Sequence, residues 1–171
     1  MFYYINNFLV FSIFGFFFET ITFALLGMHN QSGFMYLWWT PFYGTGVLIS
    51  IISYKYFSEH INDKKNKNIL LFIFLFFFLS LLEFTGGVTL EYLHGYSLWN
   101  YERIPLHLGR YISVGTSLIW ATGAFIYLYL IKKHSDKLVS KIPKYITIVV
   151  SIIFISDFIL TMIKLIRLKM M

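Results

Sequence analysis

Apolar residues fill this chain in long blocks that short polar stretches interrupt. The blocks are read at about Phe2 to Leu26, Pro41 to Phe57, Asn68 to Leu93, Gly109 to Ile131 and Tyr145 to Ile166. A crossing of a hydrocarbon core of about 30 Å takes roughly 20 mostly apolar residues, which these blocks approach or exceed. The alternation of a membrane β-barrel strand is missing from runs such as Ile69 to Leu82. A backbone in lipid must satisfy its own hydrogen bonds, and a helix does so within one segment. The pattern therefore predicts an all-α membrane protein. Its form is a bundle of about five transmembrane helices in a single domain over residues 1–171.

Composition supports this reading. The 171 residues are 58% hydrophobic and 13% charged, well away from soluble globular domains. Residues Met1 to Asn7 carry no Lys or Arg, so the basic start of a cleaved signal peptide is missing and the first block is expected to remain as the first span. Cysteine is absent, which removes disulfides, thiolate metal sites and thiol nucleophiles. The net charge of +6 sits largely in short connections between blocks, where topology explains it without nucleic acid.

Lysines orient the bundle. Lys64, Lys65 and Lys67 fall between the second and third blocks, and Lys132, Lys133, Lys137, Lys141 and Lys144 between the fourth and fifth. The positive-inside rule places both connections in the cytoplasm, with the N-terminus inside and the C-terminus outside. Lys164, Arg167 and Lys169 pull the other way. The expected outer loops are aromatic, with Tyr36, Trp38, Trp39, Phe42 and Tyr43 in one and Tyr96, Trp99 and Tyr101 in the other. Such rings either anchor a protein at headgroup depth or cover a site.

Four acids lie within the blocks: Glu19, Glu83, Glu91 and Asp157. An ionisable group at mid-bilayer costs about 2.5–3.5 kcal/mol on insertion scales, so a span retains one only against a compensation. Glu83, Gly87 and Glu91 recur at i, i+4 and i+8, on one helix face, with Ser80 and His94 extending the stripe. Ser12, Gly15, Glu19 and Thr22 share a face of the first block, and Ser113 and Ser117 follow Arg110 in the fourth. These polar faces are expected to meet in the outer half of the bilayer, near Arg103, His107 and Arg110. A structural ion-pair cluster and a ligand site both satisfy that pattern, and Arg110 suits either, since a guanidinium can clamp a carboxylate or phosphate with two hydrogen bonds. Asp157, with Thr161 and Lys164, reads as a local packing or snorkelling group. Gly86-Gly87 and Gly44-Thr45-Gly46 suit close helix contact. No Gly-x-x-x-x-Gly-Lys-Ser/Thr or Gly-x-Ser-x-Gly occurs, and Glu91-x-x-His94 is half of a di-metal motif whose other half is missing, so no metal or cofactor is expected.

Several segments together resemble a known family. They are Phe11-Ser-Ile-Phe-Gly-Phe-Phe-Phe-Glu, Ser32-Gly-Phe followed by Pro41-Phe-Tyr-Gly-Thr-Gly, Leu82-Glu-Phe-Thr-Gly-Gly-Val-Thr-Leu-Glu, and Trp99-Asn-Tyr leading to Gly109-Arg and Ser117-Leu-Ile-Trp. Their combination resembles the putative ABC-transporter type IV family, also called CmpB-like, of small bacterial multi-pass membrane proteins. Glu19, Tyr43, Glu83, Glu91, Trp99, Tyr101 and Arg110 fall on that family's pattern positions, and Arg103 and His107 complete the candidate substrate-binding set. The family has Arg-Gly-Phe where this chain has Ser32-Gly-Phe, Asp-Tyr-Ser where it has Asn100-Tyr-Glu, and Asn where it has His107. The resemblance implies a cell-membrane transport component in the bilayer with a separate ATPase subunit as partner; further copies of the chain are a separate expected partner. The residues leave two other classes open: an extracytoplasmic enzyme acting on a lipid or lipid-linked substrate, with Glu83, Glu91 or His107 as base, and a non-catalytic assembly protein.

Overall fold

A computed structural model describes residues 1–27 and 32–170; of the expected outer loop His29 to Thr40, residues 29–31 lie outside the described residues. Nearly everything described is helix: α1 (Phe2–Leu25), α2 (Pro41–His60), α3 (Lys64–His94), α4 (Val114–Ile126), α5 (Lys132–Val139) and α6 (Lys144–Met170). A π-helical turn, Tyr127–Ile131, makes α4 and α5 one continuous rod. Two short strands, β1 (His107–Leu108) and β2 (Ile112–Ser113), pair antiparallel ahead of α4.

By length and composition, α1, α3, the rod Val114–Val139 and α6 over Lys144–Lys169 can each cross a membrane. The chain is a multi-pass α-helical membrane protein. The second block forms α2, whose 20 residues have the length of a crossing but carry Lys55 and Glu59 in the last turns. The two largest departures from the expected boundaries have clear reasons. The fourth helix begins at Val114 rather than Gly109 because the hairpin occupies residues 107–113, with Gly109 in the left-handed region at φ 65°. It also runs past Ile131 to Val139, because lysine and the other polar residues there are compatible with a solvated helical surface even where the apolar pattern stops.

The chain divides into two compact units. The first comprises Met1–Leu48 and His134–Arg167; the second comprises Ile49–Lys133 and the residues from Leu168.

In the first unit, α1 and α6 run in the same direction. Tyr3 donates from its hydroxyl to Asp136 (2.7 Å), Thr147 donates to the Asn6 side-chain oxygen (2.7 Å), and the Phe8 and Phe154 rings meet edge to face at 5.2 Å. The start of α2 lies close against α1: a Cβ on Gly15 would overlap the Tyr43 ring. In the second unit, α3 is the longest helix, started by Asp63, whose side chain accepts from the Asn66 N–H, and ended by Gly95 at φ 77°. It packs along α4.

Burial follows membrane logic in both units. Asn7, Ser12, Ser113, Ser117, Thr147 and Thr161 are almost wholly buried, while Phe77, Ile119, Leu130 and Ile152 stand exposed. Lipid is as apolar as these side chains, so helix association rests on small residues, close packing and polar contacts.

Candidate functional site

The second unit holds the richest polar arrangement. Along α3, Ser80, Glu83, Gly87 and Leu90 are buried on one face. Spacings of three and four residues keep them on that face, and α4 meets them with Ser117 and Trp120. Ser80 donates to the Ser117 hydroxyl at 2.6 Å. One oxygen of Glu83 accepts both the Tyr101 hydroxyl at 2.5 Å and the Trp120 indole N–H at 3.2 Å. Two donors on one oxygen offset part of the cost of burying this carboxyl group.

About two turns further along α3 lies Glu91. Its Oε2 accepts the Tyr111 hydroxyl at 2.6 Å, and its Oε1 pairs with the Arg110 guanidinium. Arg110 also approaches Glu102, at 3.8 Å. Arg110 and Glu91 keep about 40% and 35% of their side chains exposed, so water screens the pair and its value lies nearer orientation than stability. The Tyr111 hydroxyl, then the Glu91 carboxylate, hold the guanidinium above its ordinary pKa. Burial, then the bond to Glu91, push the Tyr111 phenol up in turn.

The hairpin explains how these groups arrive. Its turn presents Arg110 and Tyr111 side by side, the Tyr101 N–H bonds the Arg110 carbonyl at 2.8 Å, and Ser113 caps α4 by accepting the Thr116 N–H at 3.1 Å. Tyr111 enters where Gly87 leaves room; a Cβ there would overlap its ring. The Trp99 ring meets Tyr111 edge to face at 5.8 Å.

The first unit holds a second, smaller polar arrangement. Glu19 accepts the Ser32 hydroxyl, and the Ser32 and Thr40 hydroxyls lie 2.9 Å apart. The Ser32 N–H reaches Thr20 at 3.3 Å, and the Thr40 N–H reaches the Ser12 carbonyl at 2.9 Å. Asp157, buried in the middle of α6, accepts the Leu37 N–H at 3.0 Å. Residues 32–40 are thereby fastened to α1 at both ends and to α6 between. Tyr43 lies 6.3 Å from the Phe18 ring.

Among the expected site residues, Glu83, Glu91, Trp99, Tyr101 and Arg110 come together in the second unit, while Glu19 and Tyr43 belong to the first. Arg103 and His107 are exposed, with the His107 ring 3.2 Å from the Gly109 carbonyl. Tyr111 and Trp120 were not among the expected residues, although Tyr111 adjoins Arg110 and Trp120 stands one turn beyond Ser117. Asp157 does more than pack locally, since it holds a loop backbone. Among the described residues, no group of three or more His, Asp or Glu side chains is placed to hold a metal ion.

A family model described as "Putative ABC-transporter type IV" matches residues 6–164, most of the chain. No curated protein and no solved structure matches it.

Proposed function

This chain belongs to the family described as Putative ABC-transporter type IV, and from that premise we propose that it is the membrane component of a transport system whose ATPase is a separate polypeptide. The polar groups of α3, α4 and the hairpin, together with Arg103 and His107 beside them, form the part that handles a polar solute. Glu19 and Tyr43 belong to the first unit, and any part they take in solute handling lies within that unit. The observation that carries this reading is the buried Glu83 carboxylate, held by Tyr101 and Trp120 inside a membrane bundle. Intramembrane ionisable groups mark ion and substrate paths by default, because a span without such a task replaces them with cheaper residues.

A second reading draws on the same contacts. Glu83 and Glu91 are both bonded within the protein, which suits groups that orient helices and nothing more. Capture of the tagged chain from its native membrane separates the two. A transport component brings with it a soluble ATP-hydrolysing subunit, and the captured material hydrolyses ATP. A chain recovered without such a subunit and without hydrolysis overturns the transport reading and leaves the helix-orienting one.

A further inference from the structure

We propose that the lysine-rich stretch from Lys132 to Lys144 binds the headgroups of anionic phospholipids at the membrane surface. This stretch contains five lysines and one acid, Asp136. The acid is engaged, because Tyr3 donates its hydroxyl to it at 2.7 Å. Ser135 and Val139 are the buried residues of α5, and the Val139 carbonyl accepts from the Asn6 side chain at 3.3 Å. At 100° per residue, Lys133 and Lys137 fall on the opposite side of α5. Both are exposed, as are Lys141 and Lys144 beyond the helix end. Lys144 lies 5.8 Å from the Phe2 ring, while the side chains of Lys133, Lys137 and Lys141 have no bonding partner among the described residues.

Charge alone would serve an acidic protein surface as well as a bilayer. The apolar neighbours decide between them. Leu138 and Tyr145 are 69% and 68% exposed beside these lysines, at the adjoining ends of two membrane-spanning helices. Exposed aliphatic and aromatic groups next to basic ones, directly at span ends, match the boundary between acyl chains and headgroups. The other basic connection differs: around Lys64, Lys65 and Lys67 stand Glu59 and Asp63, Lys55 approaches Glu59 at 3.8 Å, and Lys67 lies over the Tyr54 ring at 5.0 Å. Juxtamembrane lysine clusters gain affinity for anionic leaflets lysine by lysine, and salt screens that gain.

The test uses the full chain in zwitterionic detergent, offered phosphatidylglycerol and phosphatidylcholine of identical acyl chains, with retained lipid read by mass spectrometry. The expected result is preferential retention of phosphatidylglycerol that falls as salt rises. The K133Q/K137Q/K141Q variant should lose about fivefold in that preference for each lysine removed. Its melting temperature in phosphatidylcholine should stay unchanged, since all three side chains are exposed; K133R/K137R/K141R should keep the preference. The proposal is overturned by a wild type without preference or by a glutamine variant that retains it. Displacement of the lipid by an equal concentration of inorganic phosphate would also overturn it, as would capture of an acidic soluble protein by this stretch with no lipid preference.

Discussion

In the unit built on α3 and α4, Glu83 and Glu91 are met by side chains: Tyr101, Trp120, Tyr111 and Arg110. In the unit built on α1 and α6, Glu19 and Asp157 are met by the segment 32–40, through the Ser32 hydroxyl and the Leu37 backbone N–H. Both arrangements compensate an acid inside a membrane helix, but they fix different things. Aromatic and guanidinium donors from the hairpin and α4 tie whole elements to α3, so losing a carboxylate there loosens a helix pair. A backbone N–H from a short loop ties only that loop, which can open locally while the helices remain. The same residue type is thus a helix fastener in one unit and a loop latch in the other.

The largest effect should come from Glu83→Ala, which removes the shared acceptor of Tyr101 and Trp120. A loss of about 3 kcal/mol is expected, the upper end for stripping a buried hydrogen-bond partner. It would appear as a lower melting temperature in detergent with a shifted Trp120 fluorescence. Gly87→Val should follow at about 2 kcal/mol, because the Tyr111 ring occupies the space and overpacking displaces it. An unchanged melting temperature in that variant would mean that the ring does not seat against α3.

Asp157→Ala should cost less overall, about 1 kcal/mol, and act locally. Faster amide exchange confined to residues 32–40 is the expected signature, with Asp157→Asn close to wild type because its carbonyl still accepts. Exchange that spreads along α1 and α6 would erase the distinction between latch and fastener.

The smallest effect concerns pH. The Tyr111 phenol has its pKa raised in the folded protein by burial and by Glu91. Its contribution is therefore complete below the ordinary tyrosine pKa of about 10 and is lost as pH rises through the higher folded value. Wild type should lose stability relative to Tyr111→Phe over that alkaline window, and parallel curves would contradict the assignment.

Much of this was legible in the amino-acid sequence. The apolar blocks mark the helices because lipid demands them, and the i, i+4, i+8 spacing of Glu83, Gly87 and Glu91 fixes a face whatever the neighbours are. What escaped has physical reasons. A hairpin of two-residue strands carries too little alternation to show a period, so Gly109 reads as the start of a helix. Tyr111 and Trp120 carry no spacing signature, and nothing local shows that their polar tips turn to carboxylates. Glu19 shares the spacing signature of a polar face, yet its partner Ser32 comes from a loop, and periodicity does not extend to loops. Lys164 and Lys169, which strain the charge rule, lie over the Tyr36 and Tyr92 rings at 4.9 and 2.9 Å, a cation–π pairing that a count of charges does not register.

Whether transport uses the Glu83 carboxylate is tested by ATP hydrolysis of the captured complex carrying wild type or Glu83→Gln, with melting temperatures taken on the same preparations. Glutamine keeps an acceptor for Tyr101 and Trp120 while removing the charge. A membrane component that uses the carboxylate should melt close to wild type and lose hydrolysis at least about tenfold, or roughly 1.4 kcal/mol in barrier terms. Hydrolysis equal to wild type, or a loss that merely tracks a collapsed melting temperature, would contradict the account and leave Glu83 as a helix fastener alone.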